Sequence, residues 1–157
     1  MKHPFGPLFN ENSRILILGS FPSVKSREQL FFYGHPQNRF WKVLSMVLEQ
    51  PTPESIEEKR EFLLNNNIAL WDVIASCDIE GSSDSSIKNV VANDLSEILE
   101  NADIKRIFTN GKTAHNYYNK YIKHKISFDD FCLPSTSPAN AGYSVQKLVE
   151  SWKEILR

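Results

Sequence analysis

The sequence predicts an α/β fold, a mainly parallel sheet covered by helices. Three observations predict it. Short aliphatic runs with strand character alternate with segments of helical spacing along the whole chain. Each run ends in small, polar or glycine-bearing residues: "GSFPS", "WDVIAS", "TNGKT" and "PSTSPAN". No internal repeat or low-complexity tract interrupts the alternation. Ligands of parallel sheets bind beyond the carboxyl ends of the strands, so these four ends predict one shared polar cleft.

In chain order, "RILILGS" is a short buried strand, because four consecutive aliphatic residues run into a glycine turn. From Phe40 the spacing becomes helical, with Phe40, Leu44, Val47 and Leu48 on one face. Thr52 and Pro53 offer a cap and a first position for a second helix, whose stripe includes Ile56, Leu63 and Leu64. "IALWDVI" (68–74) is the second strand, and the Ser- and Asp-rich stretch from Ser76 to Asn89 reads as a loop. Asp94 and Glu97 have capping-box spacing ahead of Leu95, Ile98 and Leu99. "RIFTNG" is the third strand, followed by a helix striped with Ala114, Tyr117, Tyr118 and Tyr121. "FCLPSTSPANAGY" opens as a short strand and ends as a Pro/Ser loop. A last amphipathic helix carries Val145, Leu148, Val149, Trp152, Ile155 and Leu156.

A chain of 157 residues suits a single domain, 1–157. Its 41% hydrophobic and 24% charged residues are those of an ordinary soluble protein. "MKHPFGPLF" lacks a signal-peptide core and no apolar run can span a bilayer, so an intracellular, cytoplasmic protein without membrane contact is expected. Cys77 and Cys132 stand too far apart for a metal or redox spacing motif and read as two reduced thiols. A net charge of -1 excludes a generic basic coat for nucleic acid but leaves room for local contacts.

"YGHPQNRFW" (33–41) is the most informative stretch. Asn38 directly precedes the apolar helical pattern, a favourable capping position. An amide that both donates and accepts could equally serve chemistry there. The residues alone leave both roles open. His35 reads as a loop-shaping residue.

"LGSFPSVKS", "YGHPQNRFWKVL", "LWDVIASC", "TNGKTA" and "LPSTSPANA", in this order, resemble the uracil-DNA glycosylase superfamily, and its hypoxanthine-DNA (deoxyinosine) branch in particular. The resemblance spans roughly residues 8–156. It implies a three-layer α/β/α fold around a four-stranded parallel sheet. It also implies a monomeric enzyme, using no cofactor or metal, that flips a deaminated base out of DNA and hydrolyses its N-glycosidic bond.

The resemblance also implies roles for single residues. Asn38 matches the catalytic group, orienting the attacking water with a lone pair. Phe21 stands where other branches carry the water-binding Asp or Asn two residues after the first-motif glycine, so that duty must have moved. Gly19, Ser20 and Phe21 would line the base site, Tyr33 would stack on the base, and Asp72 would accept the N1–H of hypoxanthine. Ser135 falls where other branches have His or Asn. Ser23, Lys25, Ser26, Lys112 and Ser137 are phosphate-contact candidates, Pro138 is a further DNA-binding candidate, and Ala139 and Asn140 are candidate wedge residues for the minor groove. Two rival readings remain at this level: a mismatch-specific uracil glycosylase, favoured by "HPQNRFWKV", and a non-catalytic reader of damaged bases.

Overall fold

Leu16, Ile17 and Leu18 are fully buried in β1 (Ile15–Gly19) of the computed structural model, which describes residues 1–157. They are buried on both faces because the strand lies inside a parallel sheet, where continuous aliphatic runs belong. Its neighbours are β2 (Ile68–Asp72) and β5 (Arg106–Asn110), and β6 (Asp130–Leu133) completes the order β2-β1-β5-β6, all parallel. Helices flank this sheet, as the alternating pattern predicts. The register pairs Gly19 with Asp72, Leu18 with Thr109 and Asn110 with Leu133. All four strands therefore stop near one edge, and the residues after them meet there.

The five predicted helices appear in the predicted order with corrected ends, and two short helices, at Val24–Gln29 and Lys123–Ile126, were not predicted. α1 (Val24–Gln29) is capped by Ser23, whose hydroxyl accepts from Ser26 N–H. α2 (Phe40–Val47) buries Phe40, Val43, Leu44 and Val47 and packs on α7 (Val145–Trp152), where Phe40 meets Trp152 edge-on. α3 (Ile56–Asn65) starts later than Thr52 and Pro53 would have it. Ser55 and Glu58 form a reciprocal capping box, which satisfies two backbone donors where the Thr52–Pro53 entry offers one hydroxyl. Phe62 and Leu63 are its buried residues, while Ile56 is exposed. Asp94 is also not half of a capping box: its carboxylate accepts from the backbone and hydroxyl of Ser96, ahead of α4 (Ser96–Asn101). α5 (Lys112–Tyr121) and the short α6 (Lys123–Ile126) connect β5 to β6, with Ala114 and Tyr118 inward. No helix is long and apolar enough to cross a membrane.

The stretch from Ser76 to Asn89 is the main departure from expectation. β2 ends at Asp72, and the chain turns into an antiparallel hairpin of β3 (Ile74–Asp78) and β4 (Lys88–Ala92) with irregular register. Val73 and Ile74 N–H donate to the Gly19 and Ser20 carbonyls, which fastens the hairpin to the end of β1. Composition misses these strands because Ser76, Asp78, Lys88 and Asn89 within them are polar and the pairing partner, not the side chains, fixes the backbone. The N-terminal segment runs beside the hairpin, bridging Lys2 to Ser76 and Leu8 to Leu70.

Candidate active site

A cavity of about 490 Å³ lies over the shared edge, a volume suited to a small-molecule group such as a nucleobase. Its walls come from the β1–α1 turn, the Tyr33–Asn38 loop, Asp72, the hairpin tip Ser82–Ser85, Asn110 and the loop after β6. The four predicted strand ends do converge, and a fifth wall comes from the hairpin.

Gly19 is required at the floor. A Cβ there would lie 2.5 Å from Asp72 Oδ1 and 3.0 Å from the Tyr33 hydroxyl, so any side chain would displace both. Asp72 is almost fully buried, and its Oδ2 accepts from His3 Nε2 at 2.7 Å. His3 Nδ1 accepts from Phe5 N–H at 3.5 Å, which is consistent with the tautomer that carries its proton on Nε2. Asn93 holds the Asp72 carbonyl at 2.8 Å. Asp72 Oδ1 takes no hydrogen bond from the protein. It is an anchored carboxylate with one free acceptor on a cavity wall.

Tyr33 stands beside it in a left-handed backbone conformation, φ +51°, unusual for a tyrosine. Its ring lies parallel to Phe40 at 4.0 Å between centroids, so one face is already covered. The hydroxyl is buried without a hydrogen-bond partner. Burial first, then the Asp72 charge, pushes the phenol far above its usual range against a smaller opposing effect of Asn110. It stays protonated. Phe21, also on the wall, meets His3 edge-on and offers no polar atom, so it cannot hold water.

Asn38 answers the capping question in an unexpected way. α2 begins at Phe40, and Asn38 Oδ1 accepts the Phe40 N–H at 2.9 Å. It also accepts from the Thr136 hydroxyl at 2.9 Å. The N-cap position belongs to Arg39, whose side chain makes no capping bond, so the expected capping place of Asn38 is corrected. Asn38 stands one residue earlier, its side chain closes a turn onto the first helical N–H, and both oxygen lone pairs are engaged. The expected free lone pair for water is therefore taken. Its amide NH2 donates to no protein group, and Asn38 lines the cavity. His35 Nδ1 accepts from Gln37 N–H, which fits a loop-shaping role.

The loop after β6 is held from inside. Arg39 donates to the carbonyls of Thr136, Ser137, Asn140 and Tyr143. Ser135 packs against Gly111, where φ is +96° and a Cβ would lie 2.9 Å from the serine Cβ. The Ser135 hydroxyl accepts from Ser137 N–H, and that of Ser137 from Ala139 N–H. Both serines line the cavity. Asn140 is not a wedge: its side chain turns inward to the Ser135 carbonyl at 3.0 Å, which leaves Pro138 and Ala139 as the exposed tip.

Among the phosphate candidates, Ser26 is placed differently from expectation. It is buried, and its hydroxyl accepts from Gly34 N–H and Ser23, because the loop's backbone needs an internal partner there. Ser23 caps α1 at the cavity rim. Lys25, paired with Glu28 at 3.4 Å, and Lys112, at the start of α5, are exposed outside the cavity. Ser20 donates to Asp84 at 3.2 Å, closing the hairpin tip over the β1–α1 turn.

Sequence reasoning missed His3, Asn110, Thr136, Asp84 and the clamping role of Arg39. Asn110 and Thr136 lay inside quoted strand ends, so a polar side chain at each end was the available signal. His3 carried none, since a lone histidine far from every motif has no spacing to read.

The Uracil DNA glycosylase superfamily model matches residues 7–156. A hypoxanthine DNA glycosylase of Methanosarcina acetivorans is 33% identical, covering 100% of this chain and 99% of its own. One of Methanosarcina barkeri is 32% identical, covering 99% and 98%. The solution structure of a candidate uracil DNA glycosylase from Methanosarcina acetivorans superposes with a TM-score of 0.81 at 31% identity, covering 99% of both chains.

Proposed function

The chain belongs to the uracil DNA glycosylase superfamily, and on that premise we propose that it is a monofunctional DNA glycosylase for deaminated bases, hypoxanthine foremost. A single domain, residues 1–157, carries the activity, supported by one contiguous core. The observation that carries the reading is the meeting of Asn38, Asp72 and Gly19 around one base-sized cavity at the strand ends. Full-length relatives named as hypoxanthine glycosylases support the choice of base.

In this reading the damaged nucleotide leaves the stack and its base enters the cavity. Asp72 Oδ1 accepts N1–H of hypoxanthine, while His3 keeps the other oxygen occupied and the carboxylate fixed. Adenine, with an acceptor at N1, would face the carboxylate lone pairs and be repelled. Guanine shares the N1–H edge, so its exclusion requires crowding at the 2-amino group. Tyr33, backed by Phe40, offers its remaining face to the base. Asn38 stands at the reacting centre. The C1′–N9 electron pair leaves with the base, a water oxygen bonds to C1′, and one water proton ends on the base.

Single-turnover cleavage of duplexes carrying inosine, uracil, xanthine or adenine tests the assignment. Inosine should be cut fastest and adenine not at all. Preference for uracil would make this a uracil glycosylase, and binding without cleavage of any substrate would make it a reader.

A further inference from the structure

We infer that Asn110 and Thr136 form an oriented relay that presents the amide NH2 of Asn38 to the cleft, which makes both of them positioning residues. The inference rests on the assignment of Asn38 to the reaction and deepens it. Its direction is set by backbone donors, which have no alternative role. Thr136 N–H donates to Asn110 Oδ1 at 3.0 Å, so the other amide atom, Nδ2, faces the Thr136 hydroxyl at 3.0 Å. That hydroxyl therefore accepts from Asn110 and has its own proton left for Asn38 Oδ1 at 2.9 Å. Phe40 N–H takes the second lone pair of the same oxygen. Thr136 is fully buried, so water does not compete for the middle of the relay. Four hydrogen bonds agree on one orientation, and rotating either amide would set donor against donor.

The chemical consequence is that Asn38 acts as a neutral donor. Such a group takes no proton from water. It stabilises negative charge, and negative charge develops on the departing base as the glycosidic electron pair leaves with it. Water then adds to the oxocarbenium carbon, and its proton neutralises the base anion. Asn110 and Thr136 touch neither water nor base in this scheme. They hold the donor still, at no reorganisation cost during the reaction.

The test is single-turnover cleavage of an inosine duplex, with thermal unfolding measured beside it. Thr136→Val should lower the maximal rate by at least about tenfold with half-saturation unchanged, because one buried hydrogen bond and its orientation are lost. Thr136→Ser restores the hydroxyl and should recover most of the rate. Asn110→Asp keeps the hydroxyl but draws its proton away from Asn38, and should also lose rate. In an Asn38→Ala background, Thr136→Val should have no further effect. Wild-type cleavage by folded Thr136→Val and Asn110→Asp, with Asn38→Ala impaired, would overturn the relay and leave the Asn38 assignment standing. Equal slowing by Thr136→Val with and without Asn38 would also overturn it. Normal cleavage by Asn38→Ala would remove both.

Discussion

Asn38 concentrates the residue-scale physics, because capping and chemistry draw on different atoms of one amide. Its oxygen satisfies Phe40 N–H and Thr136, and its nitrogen, which donates to no protein group, is the atom the proposed function assigns to substrate. Asn38→Asp should keep the turn onto Phe40 N–H and unfold close to wild type, since Asp and Asn oxygens accept equally in such turns. It should nevertheless lose cleavage almost as completely as Asn38→Ala, by orders of magnitude, because it turns a carboxylate toward the cleft in place of a donor. Stopped single-turnover time courses and melting curves on the three proteins check this. Tyr33 gives the opposite expectation. Its hydroxyl is buried and unpaired, so Tyr33→Phe should keep activity and melt at or above wild type. Tyr33→Ala loses the ring, whose stack with a base is worth about 1–3 kcal/mol, and should lose most turnover. His3→Ala removes the partner of a buried carboxylate at 2.7 Å. It should cost about 1–3 kcal/mol in urea unfolding and weaken discrimination of inosine from adenine.

Two ties between elements have measurable consequences. Arg39 joins the entry of α2 to the loop after β6 through four carbonyls, a task for several fixed donors. Arg39→Lys keeps the charge and loses the fork, so amide exchange in residues 135–143 should accelerate and cleavage should fall. Asp130 joins β5, α5 and β6 through Thr109, His115 and Asn119. Burial works to raise its carboxyl, but these hydrogen bonds outweigh it and hold the group below the usual aspartate range. Its contribution is therefore complete above the unfolded value of about 3.9 and is lost as pH falls through the lower folded value. Asp130→Asn should flatten the acid side of a plot of melting temperature against pH, while the neutral side shifts down uniformly.

For the whole molecule, the weak net charge limits how DNA is held. Lys25 is shared with Glu28 and Ser26 is buried, so the expected phosphate contacts reduce to Ser23 and Ser137 at the rim and Lys112 outside it. A log–log slope of affinity against salt of about −1 to −2 is expected, set by the roughly one or two counterions that so few cations release. Titrations of labelled duplex at four salt concentrations would measure it, and a slope beyond about −6 would require a basic surface outside the cleft. Under the proposed function, affinity should come mainly from the flipped base and the exposed loop tip at Pro138 and Ala139, so Ala139→Asp should weaken binding to all sequences alike.

By itself, the sequence determined the order of the four sheet strands and of five of the seven α-helices, because buried aliphatic runs such as Leu16–Leu18 and helical stripes such as Phe40–Val47 are local patterns with distinct periods. It also determined that the strand ends "GS", "WD", "TN" and "PST" would share one cavity, since parallel strands deliver their carboxyl ends to one edge. Tertiary structure alone decided what each polar group there does. The hairpin at Ile74–Ala92 exists through pairing, not propensity. His3 reaches Asp72 across 69 positions, and Thr136 reaches Asn38 across 98. A hydrogen bond has direction and a finite number of lone pairs, and a sequence records neither the partner nor which end of an amide it will occupy. Position 38 therefore stood out in the sequence as a polar residue at a helix entry, but which end of its amide is engaged became legible only once Phe40, Asn110 and Thr136 were seen around it.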